Sequence, residues 1–228
     1  MEAAKLKILV FDVDSVLVDV SDSYHRTIVE TVHYFTSRRV RPSQIHVWKN
    51  RSGYNDDWKL TADWIRALGV RVPYRRVVRK FQQLYRGRNF DGNIARERWL
   101  LVRGRLRRLA RHYELALFSG RPRRELLHTL KKFRVRGYFR RIVALGDVKR
   151  QKPAPEGLLR ILRGREPRSA LYVGDNVDDA LAARRAGVPF VGVLPRGSVA
   201  RRVRARRLRR HGACLLLSHV NELKKFLP

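Results

Sequence analysis

The run KILVFDV ends its apolar stretch at Asp12, Asp14 stands two residues further on, and Asp19 follows closely. Carboxylates at that spacing are poor material for a buried strand, because an ionised group taken out of water needs a compensating partner. Other polar groups follow later apolar runs, Ser119 in FSGRP and Asp175 with Asp179 in VGDNVDDA, and Lys152 stands in QKPAPE ahead of the run ALYVG. If these converge, they form a set suited to a hard cation and a phosphate. Oxygen ligands hold magnesium, while a lysine and a serine hydroxyl hold phosphoryl oxygens.

The elements that must position them alternate along the chain. KILVFDV, LALFS, RIVAL, ALYVG and PFVGVL are short apolar runs rich in β-branched or aromatic residues, bounded by turn residues and separated by helical patterns. That order predicts an α/β fold with a Rossmann-like parallel sheet covered on both faces. Ligands of such sheets bind beyond the carboxyl ends of the strands, where the candidate residues fall. Roughly ninety residues separate the first strand from the second, far more than a crossover needs. An inserted α-helical domain is expected over 21–98, leaving 1–20 and 99–228 as the α/β core. Inside the insertion Tyr24, Ile28, Val32 and Phe35 share one helical stripe, and DDWKLTADWIRALG and RRVVRKFQQLY have similar spacing. These stripes read as the core of the insertion.

At 228 residues and 44% hydrophobic, the chain is long enough to bury a sizeable core. It contains no apolar run of membrane-spanning length and no signal-cleavage pattern, so no membrane association and a cytoplasmic location are expected. The single cysteine, Cys214 in ACLLLS, has no internal partner and is expected to be buried as a small hydrophobe. The net charge of +32 is strong enough to attract polyanions non-specifically. The arginines, however, lie mostly on the polar sides of predicted helices, as in RGRLRRLARHY, which fits a compositional preference for arginine. Only 196–212 is a dense block, where Val199, Val203 and Leu208 mark the apolar side of a helix with a solvated face. The histidines form no ligand pattern, and neither GxGxxG nor GxxxxGK[ST] occurs.

Taken in order, DVDSV, FSGRP, KPAPEG and VGDNVDDALAARRAG resemble the four motifs of the haloacid dehalogenase superfamily, and the insertion resembles its helical C1 cap. The resemblance implies a magnesium-dependent phosphatase acting on a small phosphorylated metabolite. Asp12 would be the nucleophile that forms an aspartyl-phosphate, and Asp14 the general acid and then base. Ser119, Gly120 and Lys152 would hold the phosphate. Asp12, the backbone carbonyl of Asp14, Asp175 and Asp179 would make the metal site. Within the cap, Asn55, Asp56 and Trp58 would select the substrate, although Asp56 suits a helix cap equally well. Asp19 suits a helix N-cap or hinge role as well as a catalytic one, and Asp178 should lie on a helix surface. The family's first motif has glycine where this chain has Ser15. Alternatives are a phosphomutase of the same superfamily and a basic polyanion- or nucleic-acid-binding protein that keeps the fold. A dehalogenase is disfavoured, because that chemistry has no leaving alcohol for Asp14 to protonate. One sequence fixes neither the substrate nor the oligomeric state.

Overall fold

The computed structural model describes residues 5–49, 53–54, 56–196 and 201–227. Its elements run β1 (Ile8–Phe11), β2 (Val18–Asp19), α1 (Arg26–Thr36), α2 (Ile45–Lys49), α3 (Asp57–Ala67), α4 (Tyr74–Arg86) and β3 (Arg98–Trp99). They continue as α5 (Arg103–His112), β4 (Glu114–Pro122), α6 (Arg123–Lys132), β5 (Phe139–Leu145), α7 (Glu156–Leu162), β6 (Ala170–Gly174), α8 (Val177–Ala186), β7 (Phe190–Val193), α9 (Arg201–Arg210) and β8 (Ala213–Leu217). Contacts divide the chain into two compact units: Met1–Val18 with Trp99–Pro228, and Asp19–Arg98.

In the first unit six strands form one sheet in the order β5-β4-β1-β6-β7-β8. Every pairing is parallel, as expected of an α/β fold. All four residues of β1 are buried because helices cover both faces, which is why its sequence is continuously apolar and does not alternate. Ile8 and Val10 share one face with Phe118 and Tyr172 and pack on Leu158 and Ile161 of α7 and on the alanines of α8. Gly157 makes that packing close. A Cβ there would lie 2.2 Å from the Phe118 ring, so only glycine lets α7 approach β4.

The register sets the rim. Phe11 pairs with Leu117 on one side and Val173 on the other, so Asp12 comes level with Phe118 and Gly174. β4 and β5 extend the sheet on one side of β1 and β6, β7 and β8 on the other, so the order in which strands are added reverses at β1. The crevice at such a reversal is where sheets of this kind bind ligands.

Three expectations need correction. ACLLLS supplies a sixth strand, β8, at the sheet edge, and Cys214 is exposed. An edge strand has no neighbour on one side, so apolar composition there does not guarantee burial. In α9 Leu208 is buried, but Val203 is 47% exposed and Arg204 takes the inward position one turn before Leu208. Val199 lies outside the described residues. Asp178, expected on a surface, is buried, because α8 packs against β6, β7, α7 and α9.

The second unit is helical. Helices α1, α3 and α4 pack on one another around Ile28, Val32, Leu60, Trp64, Val77 and Phe81. Tyr24 stacks on Tyr85 with centroids 4.0 Å apart. Phe35 is only half-buried. Among the described residues no helix is long and apolar enough to cross a membrane.

Candidate active site

Four carboxylates and a lysine meet at the carboxyl ends of β1 and β6. Asp12 follows β1 directly, and its backbone N–H donates to Val173 O of the neighbouring strand at 2.8 Å. Lys152 reaches in from the loop before α7, and its ammonium is enclosed. It donates to Asp12 Oδ1 at 2.9 Å, Asp179 Oδ1 at 2.8 Å and the Tyr172 hydroxyl at 3.1 Å, which uses all three of its protons. Tyr172 in turn donates to Asp179 Oδ1 at 2.7 Å.

Asp179 is held on both oxygens. Its Oδ2 accepts the backbone N–H groups of Asp175 at 3.1 Å and Asn176 at 3.2 Å, while Asn176 Oδ1 caps α8 by accepting from Asp179 N at 3.1 Å. This reciprocal capping box folds the strand-to-helix turn back on itself. Gly174 permits it, since a Cβ there would lie 2.6 Å from Asp179 Cβ.

Burial pushes the Asp12 carboxyl well above its ordinary range, with Asp179, Asp14 and Asp175 pushing the same way and only Lys152 opposing them. Burial alone would depress the Lys152 ammonium, but Asp12 and Asp179 more than reverse this and keep it charged. Burial, reinforced by Asp179, likewise keeps the Tyr172 phenol protonated and therefore a donor.

The turn after Asp12 is tight. Val13 O accepts from the N–H of Leu17 at 2.9 Å and of Val18 at 2.9 Å. Ser15 stands with φ 61°, in the left-handed region that glycine tolerates best. The substitution of serine for the family's glycine thus leaves the turn in a conformation suited to glycine.

Among the sequence-predicted residues, Asp12, Asp175 and Asp179 offer oxygens within 4.8 Å of one another. Ser119 is buried at the rim end of β4, where its Oγ accepts from Arg121 N at 3.1 Å, and half-buried Gly120 sits between them. In the helical unit Asp56 caps α3, accepting from the N–H of Trp58 at 2.8 Å and Lys59 at 3.2 Å. Trp58 is half-buried, and Asn55 lies outside the described residues. Asp19 is not an N-cap: Val20 holds that position in front of the helical turn 21–25, and Asp19 instead holds the preceding turn, accepting from Ser21 N at 3.0 Å and Arg98 Nη2 at 2.7 Å.

Three site residues escaped the sequence reading. Arg121 is fully buried and its Nε donates to Asp14 Oδ1 at 2.6 Å. Arg204 places Nη2 3.5 Å from Asp175 Oδ2. Tyr172 looked like one more apolar strand residue. Arg121 stands inside FSGRP, so its segment was marked, but in a chain so rich in arginine nothing local marks Arg204 off from the many exposed ones.

Comparisons with known proteins give the family. The family model described as haloacid dehalogenase-like hydrolase matches residues 9–193. A protein of Phytophthora nicotianae named imidazoleglycerol-phosphate dehydratase is 33% identical over 201 residues, covering 84% of this chain and 44% of that protein. Phosphoglycolate phosphatase 1 of Pseudomonas aeruginosa is 40% identical over 77 residues, covering 33% of this chain and 28% of that protein. The chain thus spans less than half the length of these curated relatives. A crystal structure titled as a predicted phosphoglycolate phosphatase from Haemophilus somnus 129pt superposes with a TM-score of 0.78 at 20% identity, covering 97% of both chains. At that identity the likeness is one of fold.

Proposed function

The chain belongs to the haloacid dehalogenase-like hydrolases, and on that footing we propose that it is a magnesium-dependent phosphatase that hydrolyses a small phosphorylated metabolite through a phosphoenzyme at Asp12. The observation that carries this reading is the placement of Asp12 at the strand end, buried, with Lys152 2.9 Å away and further carboxylates around it. Phosphatase names among the relatives support the reaction class.

The donor set fits a hard divalent cation. It is all oxygen, and burial together with three neighbouring carboxylates disfavours an ionised Asp12 until positive charge is added. Because Asp179 has both oxygens engaged, Asp12, Asp175 and the backbone carbonyl of Asp14 are the groups we assign to the ion, and Asp179 supports them by fixing Lys152 and the Asp175 turn. When bound, the ion would neutralise phosphoryl charge.

Asp12 attacks phosphorus, the bond from phosphorus to the leaving oxygen breaks, and Asp14 delivers a proton to that oxygen. Water then attacks the aspartyl-phosphate and gives a proton to Asp14. The bond from Asp12 to phosphorus breaks and inorganic phosphate leaves. Lys152, Ser119 and the backbone at Gly120 hold the phosphoryl oxygens. By the same reading the inserted helical unit acts as a cap and selects the substrate, with Trp58 one contributor.

Rapid-quench labelling with p-nitrophenyl phosphate tests the reading. Wild type with magnesium should give acid-stable label on Asp12 and turn over, and Asp12→Asn should do neither. Turnover by Asp12→Asn, or full activity after exhaustive chelation, would overturn it.

A further inference from the structure

Arg121 occupies a place at odds with its chemistry. A guanidinium is the most reluctant of side chains to give up its charge, yet this one is fully buried. Two arms of its fork donate to fixed partners, and the third lies against the first of these as an ion pair. Both Nε, at 2.6 Å, and Nη2 approach the same oxygen of Asp14, Oδ1, while Nη1 donates to Thr129 Oγ1 of α6 at 3.0 Å. The backbone at Arg121 is also fixed, since its N–H donates to Ser119 Oγ.

Asp14 has a different exposure. Its side chain is 22% exposed, and among the described residues nothing donates to its second oxygen, Oδ2. The two oxygens are therefore unequal: one accepts from the arginine, and the other is open at the rim.

Resting on the acid and base role of Asp14 proposed above, we infer that Arg121 is a positioning residue that anchors Asp14 through Oδ1 and leaves Oδ2 as the oxygen that passes the proton. A carboxylate free to rotate would present either oxygen at varying distance, and general acid catalysis is sensitive to that geometry. Thr129 is part of the device, because it fixes the far side of the guanidinium. The anchor acts on proton transfer, not on the attack of Asp12, so its loss should be felt according to how much the leaving group needs a proton.

The test uses the full chain with magnesium and two probes, benzyl phosphate, whose alkoxide leaves poorly, and p-nitrophenyl phosphate, whose phenolate leaves well. Arg121→Met, which keeps most of the volume, should slow benzyl phosphate turnover by about a hundredfold, the scale of a lost acid-base contribution. Formation of the phosphoenzyme from p-nitrophenyl phosphate should fall less than about tenfold, and the phosphoenzyme should accumulate because water activation is impaired as well. Thr129→Val should shift the ratio of the two rates in the same direction by a smaller factor, and it decides the matter if Arg121→Met does not fold. Equal losses on both probes with no accumulation would overturn the inference and make Arg121 a phosphate-binding or purely structural group. Asp14→Asn distinguishes the two readings. If it too fails to discriminate between the probes, the role of Asp14 is wrong; if it discriminates and the arginine and threonine variants do not, only the positioning role is.

Discussion

The same three side chains meet twice in this molecule. In the α/β unit Asp179 receives Lys152 at 2.8 Å and the Tyr172 hydroxyl at 2.7 Å; in the helical unit Asp63 receives Lys59 at 2.8 Å and the Tyr54 hydroxyl at 3.1 Å. On distances alone the two trios are nearly interchangeable. They differ in surroundings: the Lys152 and Asp179 side chains are wholly buried, whereas Lys59 is 51% exposed and Asp63 is 22% exposed. Water screens the second pair and supplies alternative partners to either group that loses its mate. Nothing does so for the first. Contact geometry therefore says little about what an ion pair contributes until the medium around it is known.

The sharpest way to test that contrast is to remove the ammonium from each trio. Lys152→Met leaves Asp12 and Asp179 facing each other in the interior without a cation, and it should cost about 3–5 kcal/mol of stability, the range for breaking a buried pair. It should also abolish turnover. Urea denaturation read by circular dichroism measures the first effect, and a loss under about 1 kcal/mol would mean that water reaches the cluster.

A smaller change concerns the turn that carries Asp14. Ser15→Gly removes the cost of a left-handed serine and adds back some unfolded-chain freedom, so stability should rise by about 0.5–1 kcal/mol. A fall in stability would mean that the serine hydroxyl contributes more than its backbone costs.

The smallest effect belongs to the exposed trio. Asp63→Asn should lower stability by about 0.3–0.5 kcal/mol, as for other i,i+4 pairs on helix surfaces, and the difference should shrink in high salt. Burial alone would raise the Asp63 carboxyl, but Lys59, Tyr54 and Arg66 bring it below its ordinary value. A depressed folded-state value means that this contribution is complete above the unfolded carboxylate value of about 3.9 and fades as pH falls through the folded one. Wild type and variant should therefore converge in acid. Thermal melts across pH would show whether they do.

Much of this was written in the chain. Short apolar runs separated by helical patterns determine a parallel sheet, because strands buried on both faces need continuous apolar sequence. Asp12 and Asp175 were legible because charged residues at the ends of apolar runs are conspicuous, and Lys152 and Asp179 because they stand in KPAPEG and VGDNVDDA, in order with the other motifs. Gly157 and Gly174 stand in those same segments, but only the packing gives their reason, one meeting the Phe118 ring and the other the Asp179 side chain. Burial was decided by tertiary structure wherever composition pointed the other way. Cys214 is exposed because β8 forms the sheet edge, and Asp178 is buried because four elements pack against α8. The pairing of Arg121 with Asp14 joins residues 107 apart in sequence. Local patterns report which groups a segment carries, and only the packed fold decides which of them lose water and which carboxylate each then faces.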